Sequence, residues 1–234
     1  MRIYSFPHAG GSATVYYKWK NYLSPNLELR PVELQGRGSL LGEFCFTNMD
    51  DMVADLYERI RRELHEGPFV LFGHSMGSLI AWELANYIKE KEGISPYHLF
   101  LSGMTPPHLR TRQEIPMHCL DRHAFKEKVA SLGGMPIEMI NDDSLFELFE
   151  PIIRADFQIC DSYSFREPIE KMNCGITVFG GLDDEISSEE LEEWRLYGDY
   201  FQLHMYQGGH FFIEQHCREV LNIINQTCNY LFYS

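Results

Sequence analysis

The chain has 234 residues, 44% of them hydrophobic and 23% charged. That is the size and balance of one α/β domain around one core, and it excludes a disordered chain. With 34 acidic and 20 basic residues the formal net charge is -14, which argues against a nucleic-acid binder and against docking on anionic lipid. The six cysteines, Cys45, Cys119, Cys160, Cys174, Cys217 and Cys228, are scattered with no C-x-x-C pair. They read as free cytosolic thiols and not as a disulfide framework or a metal cluster. Met1 leads directly into Arg2-Ile-Tyr-Ser-Phe6, a strand signal that leaves no room for an apolar leader, and no apolar run is long enough to span a bilayer. A cytoplasmic location is expected.

Strand and helix signals alternate along the chain, the pattern of a mostly parallel sheet with helices on both faces. Residues 2–6 read as the first strand, followed by a turn at Gly10-Gly11 and a helix near 13–23. A strand is expected at 28–34 and a glycine-rich loop at 35–42. Thr47-x-x-Asp50 resembles a capping box before a helix near 50–65, whose Met52, Val53, Leu56, Ile60 and Leu64 recur at helical spacing. Pro68-Phe-Val-Leu-Phe72 reads as a strand buried on both faces, and a helix follows from 76 to 91, ending at Gly93. Further strands are expected at 97–101, 174–180 and 200–206. Ser187-x-x-Glu190 forms a second capping box, opening a helix near 188–196. A terminal helix covers 211–231, with Ile213, Cys217, Val220, Leu221, Ile224, Cys228 and Leu231 on one face. The stretch between the strands at 97–101 and 174–180 is far longer than a plain crossover needs. It reads as a helical insertion over about 107–165, a lid on an otherwise single domain spanning 1–234.

Gly73-His-Ser-Met-Gly77 matches G-x-S-x-G. This chemistry places a serine on a sharp strand-to-helix turn with its hydroxyl raised above the sheet, and an apolar strand and a helix flank the motif as required. Ser75 is therefore the candidate nucleophile of an α/β-hydrolase fold. His210, in Gln207-Gly-Gly-His210 after the last strand, stands where that fold places its general base. His74 is the rival imidazole, with its side chain expected to point away from that of the serine and to support the turn. An acid is expected after a strand between Ser75 and His210. Asp183 and Asp184 in Gly180-Gly-Leu-Asp-Asp184 both qualify, and the G-x-x-D spacing from Gly181 favours Asp184. Phe6-Pro-His-Ala-Gly-Gly-Ser12, after the first strand, can aim a backbone N–H of His8 or Ala9 at a developing oxyanion alongside that of Met76. Met104, Met117, Met135 and Met139 lie in or at the edge of the insertion, where flexible thioethers suit either ordinary core filling or a pocket for varied acyl chains.

An ordered set of segments resembles the type II thioesterases that accompany nonribosomal peptide and polyketide synthases. It comprises Phe6-Pro-His-Ala-Gly-Gly-Ser12, Gly36-Arg-Gly38, Phe72-Gly-His-Ser-Met-Gly77, Ser102-Gly-Met-Thr-Pro-Pro-His108, Leu132-Gly-Gly-Met-Pro136, Arg154-Ala-Asp-Phe157, Phe179-Gly-Gly-Leu-Asp-Asp184 and Gly208-Gly-His-Phe211. The family's usual Pro-Gly-Arg reads Gln35-Gly-Arg37 here, after Leu34. The resemblance implies a Ser75, Asp184, His210 triad and a lid that admits a pantetheine arm. It implies as substrate an acyl group on the 4'-phosphopantetheine thiol of a carrier domain, cleared so that a stalled assembly line restarts. No metal or diffusible cofactor, no nucleic acid and no membrane are expected to take part, and a monomer is expected. The alternatives are an acyltransferase or small-molecule esterase using the same residues, or a catalytically inactive binding module. The resemblance further implies acidic carrier partners. Arg110, Arg112, Arg122, Lys126 and Lys128, set against Glu114, Asp121 and Glu127, then offer a locally basic docking surface.

Overall fold

The computed structural model describes residues 1–110, 115–166 and 171–233. Six strands form one parallel sheet in the order β2-β1-β3-β4-β5-β6: β1 (Arg2–Phe6), β2 (Glu28–Pro31), β3 (Phe69–His74), β4 (His98–Ser102), β5 (Met172–Gly181) and β6 (Gly198–Tyr206). The chain runs outward from β1 to β2 and then returns to the other side of β1 at β3. The strand order therefore reverses between β1 and β3, and in open α/β sheets a crevice opens beyond the carboxyl ends of the strands at such a reversal.

Every residue of β3 is buried, as its nearly unbroken apolar run requires of a central strand covered on both faces. Its side chains alternate between two layers. Phe69 and Leu71 join α1 (Met49–Ile60) and α2 (Met76–Glu92) in one core. Val70 and Phe72 join Tyr16, Trp19 and the apolar face of α8 (Cys217–Tyr233) in the other. A third, smaller core lies within the segment between β4 and β5. There α3 (Arg122–Leu132), α4 (Ile137–Asn141) and α5 (Asp143–Ser162) gather Phe125, Val129, Ile140, Phe146 and Ile153 around Met117. Asp121 and Asp142 cap α3 and α5 by accepting from the first backbone N–H groups of each.

Several local expectations are corrected. The segment expected as a helix at 13–23 is a 3-10 helix, Ala13–Asn21, with Ala13, Tyr16 and Trp19 buried. A spacing of three aligns these side chains on one face of a three-residue turn, not of an α-helix. The cap before α1 is Asn48, which accepts from the Asp51 N–H, so the cap sits one residue later than the Thr47 reading places it. Strand β2 stops at Pro31, three residues early. The terminal helix is two helices, α7 (Phe212–Gln215) and α8, divided at His216 (φ -102°, ψ 26°). The break lets Phe212 stack on Tyr206, with ring centroids 5.7 Å apart, while α8 follows the sheet. The capping box of Ser187 and Glu190 forms as expected and opens α6 (Ser188–Glu192).

Candidate active site

The carboxyl ends of β1, β3, β4, β5 and β6 converge on one place. The turn from β3 into α2 holds Ser75 at φ 55°, ψ -123°, the one non-glycine residue with positive φ among the described residues. Such a conformation costs on the order of 1–3 kcal/mol and persists only where its surroundings enforce it. The enforcement is visible on both sides of the serine. A Cβ on Gly73 would lie 2.0 Å from the Gly77 carbonyl, and a Cβ on Gly77 would lie 2.0 Å from the Phe6 carbonyl oxygen. The Ser75 N–H donates to the Ser102 carbonyl at 2.7 Å, which ties the turn to the end of β4. Ser78 adds a second tie, its hydroxyl lying 2.9 Å from the Ser102 carbonyl and accepting from the Ser102 N–H at 2.8 Å.

His210 reaches the same place from the loop after β6. Its Nδ1 lies 2.8 Å from Asp184 Oδ2, and the two side chains are 17% and 6% exposed. Asp183 has a different occupation: its N–H donates to the Gly208 carbonyl at 3.0 Å and its Oδ2 accepts from the Gly208 N–H at 3.1 Å. Asp184 thus holds the imidazole while Asp183 braces the loop that carries it. The ring of His210 sits over the end of β4, because a Cβ on Gly103 would lie 3.3 Å from its Cε1. The same Gly103 follows Ser102, whose carbonyl holds the Ser75 N–H.

His74 is fully buried, with Nδ1 2.9 Å from Ser102 Oγ. Its ring centroid is 5.2 Å from that of His210. Burial, and then His210 and His8, push its pKa well below the usual histidine range. His8 is driven down to about 4, by burial first and then by His210 and Arg37. Beyond β1, the N–H groups of His8 and Ala9 make no hydrogen bond to protein among the described residues, whereas that of Gly10 does. The Met76 N–H is the first of α2, where a helix leaves its backbone donors open. The Leu132–Pro136 segment of the insertion reaches the loop that carries His210. A Cβ on Gly134 would lie 2.2 Å from Phe211 Cζ, and Phe211 packs edge-on against His8 at 4.8 Å.

Two features escape the sequence reading. Arg37 and Asp156 form an ion pair that is nearly sealed from solvent, and Ser102 holds His74. The basic cluster foreseen as a docking surface is largely matched by its own neighbours. Arg122 meets Glu150 at 3.3 Å, Lys126 meets Asp143 at 2.7 Å, Lys128 lies 3.9 Å from Glu185, and Arg110 donates to the Cys160 carbonyl at 3.0 Å. Arg112 and Glu114 lie outside the described residues. Among the described residues no helix is long and apolar enough to cross a membrane.

Comparison with known proteins agrees with this geometry. Residues 1–228 match the model of the thioesterase domain family. A Brevibacillus parabrevis protein named linear gramicidin dehydrogenase LgrE is 37% identical over 96% of this chain and 86% of its own length. Its name denotes a redox chemistry, but the turn after β1 here reads Pro7-His-Ala-Gly-Gly-Ser12 and not the G-x-G-x-x-G of a dinucleotide site. The crystal structure of ClbQ from the colibactin nonribosomal peptide and polyketide synthase pathway superposes with a TM-score of 0.93 at 34% identity, over 99% of this chain and 98% of that one. The type II thioesterase BorB of the borrelidin biosynthetic cluster superposes with a TM-score of 0.87 at 31% identity, over 96% of this chain and 91% of that one. With a family model covering almost the whole chain and relatives above 30% identity, this chain belongs to the thioesterase family and is a thioester hydrolase of the α/β-hydrolase fold.

Proposed function

We propose that Ser75, His210 and Asp184 act as a catalytic triad that hydrolyses acyl thioesters on the 4'-phosphopantetheine of carrier domains. In this reading the protein is a stand-alone type II thioesterase that clears aberrant or stalled acyl groups from a nonribosomal peptide or polyketide synthase. The observation that carries the reading is the strained Ser75 turn beside the His210–Asp184 hydrogen bond. With Nδ1 engaged by Asp184, the Nε2 of His210 is the atom that takes the Ser75 proton as Oγ attacks the thioester carbonyl. The N–H of Met76, with that of His8 or Ala9, stabilises the tetrahedral oxyanion. Collapse breaks the C–S bond, and the departing sulfur takes the proton from His210. A pantetheine thiol, with a pKa near the cysteine value of about 8.5, leaves readily. A water deprotonated by His210 then attacks the acyl-serine; collapse breaks the C–Oγ bond, His210 returns the proton to Ser75 Oγ, and the acid leaves. The steps call on neither a metal nor a diffusible cofactor.

The helical insertion, with Gly134 over Phe211, is read as a lid that admits the pantetheine arm. A cytoplasmic monomer working apart from nucleic acid and membrane completes the proposal. The test is Ser75→Ala assayed on a panel of acyl groups loaded on an isolated carrier protein. Loss of hydrolysis with an unchanged melting curve is expected. Retention of most of the turnover would sink the triad. Hydrolysis of free acyl esters in preference to acyl-carrier would favour the small-molecule esterase.

A further inference from the structure

The loop that offers His8 and Ala9 carries two consecutive glycines, Gly10 (φ 76°) and Gly11, the residue type with the greatest backbone freedom. A donor loop of this composition does not hold its own peptide planes. The structure holds them from outside, with a buried ion pair. Arg37, 4% exposed, and Asp156, fully buried, meet in a two-pronged contact: Nη1 to Oδ2 at 2.6 Å and Nη2 to Oδ1 at 2.6 Å. The same Asp156 Oδ2 accepts the Gly10 N–H at 2.7 Å, and the same Arg37 Nη1 donates to the Gly11 carbonyl at 3.1 Å. Glu33 adds a third hold by accepting the Ala13 N–H at 3.1 Å. The ends of the clamp belong to different parts of the fold. Arg37 lies in the loop after β2, and Asp156 lies in α5 of the insertion. Arg154, on the same helix, donates to the His118 and Leu120 carbonyls, both at 2.9 Å, so α5 is itself tied into the insertion.

Stability alone does not account for this pair. A buried ion pair can often be exchanged for apolar residues of similar volume with no loss of stability. What apolar residues cannot do is fix the direction of the Gly10 N–H and the Gly11 carbonyl. We propose that Arg37 and Asp156 are positioning residues for the oxyanion hole, and that through Asp156 the helix α5 and the donor loop open and close as one unit. This rests on the triad reading above.

The test uses the full chain and a short acyl thioester of a small free thiol, so that carrier docking does not enter. Asp156→Asn is compared with the paired variant Arg37→Met, Asp156→Leu. Four quantities are read: kcat, KM, melting temperature, and inhibition by a trifluoromethyl ketone, whose adduct with Ser75 carries an oxyanion. Loss of one oxyanion donor costs about 10²- to 10³-fold in kcat. A loss of that order is expected in both variants, with KM within about threefold and ketone affinity reduced in step with kcat. The paired variant should melt at or above the single one and remain slow. Recovery of kcat together with melting temperature would mean the pair is only structural and would overturn the inference. So would a loss confined to KM, or no loss.

Should neither variant fold, amide exchange on the unaltered protein decides. Residues 8–13 and 143–162 should then share one opening free energy, whereas exchange of 8–13 while α5 stays protected would overturn the coupling. Ser75→Ala run in parallel separates the two claims. If it retains turnover, the triad reading fails. If it is inactive while Asp156→Asn keeps full kcat, only the positioning role fails.

Discussion

Replacement of Gly77 by alanine probes how closely the serine turn is set against β1. The added Cβ would lie 2.0 Å from the Phe6 carbonyl oxygen, 2.7 Å from the Phe6 carbonyl carbon and 2.8 Å from the Pro7 carbonyl oxygen. All three neighbours are backbone, and real Cβ atoms essentially never approach closer than 3.0 Å, so the first contact alone must open by about 1 Å. The Phe6 carbonyl cannot yield freely, since it also accepts the buried Tyr16 hydroxyl at 2.8 Å. Either α2 shifts, carrying the Met76 N–H with it, or β1 shifts, carrying His8 and Ala9. A displacement of this size between catalytic groups costs roughly 10²-fold in rate. Forcing one extra methyl group into a packed site costs about 1–3 kcal/mol of stability. The assay is kcat on an acyl thioester alongside urea denaturation. Gly93→Ala serves as the control, because Gly93 (φ 67°) ends α2 with nothing within 4 Å. It should lose about 1–2 kcal/mol to backbone strain and keep its kcat. If Gly77→Ala keeps kcat within twofold, or loses only what its unfolded fraction explains, the oxyanion geometry does not depend on this contact.

Asp184→Asn should lower kcat by about 10⁴, the scale seen when a triad imidazole loses its orienting carboxylate. Asp183→Asn should lose at most about tenfold, because it weakens one exposed bond to the Gly208 N–H worth about 1 kcal/mol; the reverse order in steady-state kinetics would transfer the role to Asp183. His98 gives a pH prediction. Burial lowers its pKa from 6.5 to about 4, so between those values the unfolded chain binds a proton that the folded chain refuses. Its contribution to stability is therefore complete above pH 6.5 and declines as the pH falls towards 4, reaching a loss of about 2 kcal/mol at pH 5. Denaturation of His98→Gln at pH 7.5 and pH 5 should show a drop smaller by that amount, and an identical drop in both proteins would refute the assignment.

The features legible in the sequence are those whose determinants are local. Gly73 can be assigned to a tight turn because the atoms that would clash with a side chain there, on Gly77 and Ser78, belong to the turn itself, whereas Gly77 is pressed by Phe6 and Pro7 at the end of β1, far away in the chain, and is legible only through the motif. The spacing from Gly181 separates Asp184 from Asp183 because both acids ride on the same short loop, and only their order along it decides which faces His210. The Arg37–Asp156 pair is of the other kind. Its partners are 119 residues apart: Arg37 sits in a glycine-rich loop and Asp156 in a largely apolar run, Ile152-Ile-Arg-Ala-Asp-Phe157, and nothing in either stretch points to the other. A sealed charge has no local signature; only the fold removes it from water. Charge counting fails for the same reason at the insertion. Arg122, Lys126 and Lys128 give a positive segment sum, yet their counter-ions Glu150, Asp143 and Glu185 come from outside the segment. A docking surface has to be sought in what folding leaves uncompensated.

Three imidazoles crowd the site, and the role proposed for His210 depends on the other two staying neutral. The ring of His74 is 5.2 Å from that of His210, and His8 is 6.1 Å from His74. During attack His210 must acquire a positive charge. A second positive charge at 5.2 Å would oppose this by about 3 kcal/mol at an effective dielectric constant of about 20, more than a hundredfold in rate. Burial removes the conflict at its source. It places His8 near 4 and His74 well below its ordinary value, so neither binds a proton at neutral pH. The hydroxyl of Ser102 lies 2.9 Å from Nδ1 of His74 and engages this ring. His210 differs from both in the one respect that matters: a carboxylate lies 2.8 Å from its Nδ1, so the charge it gains has a partner in place before the reaction begins.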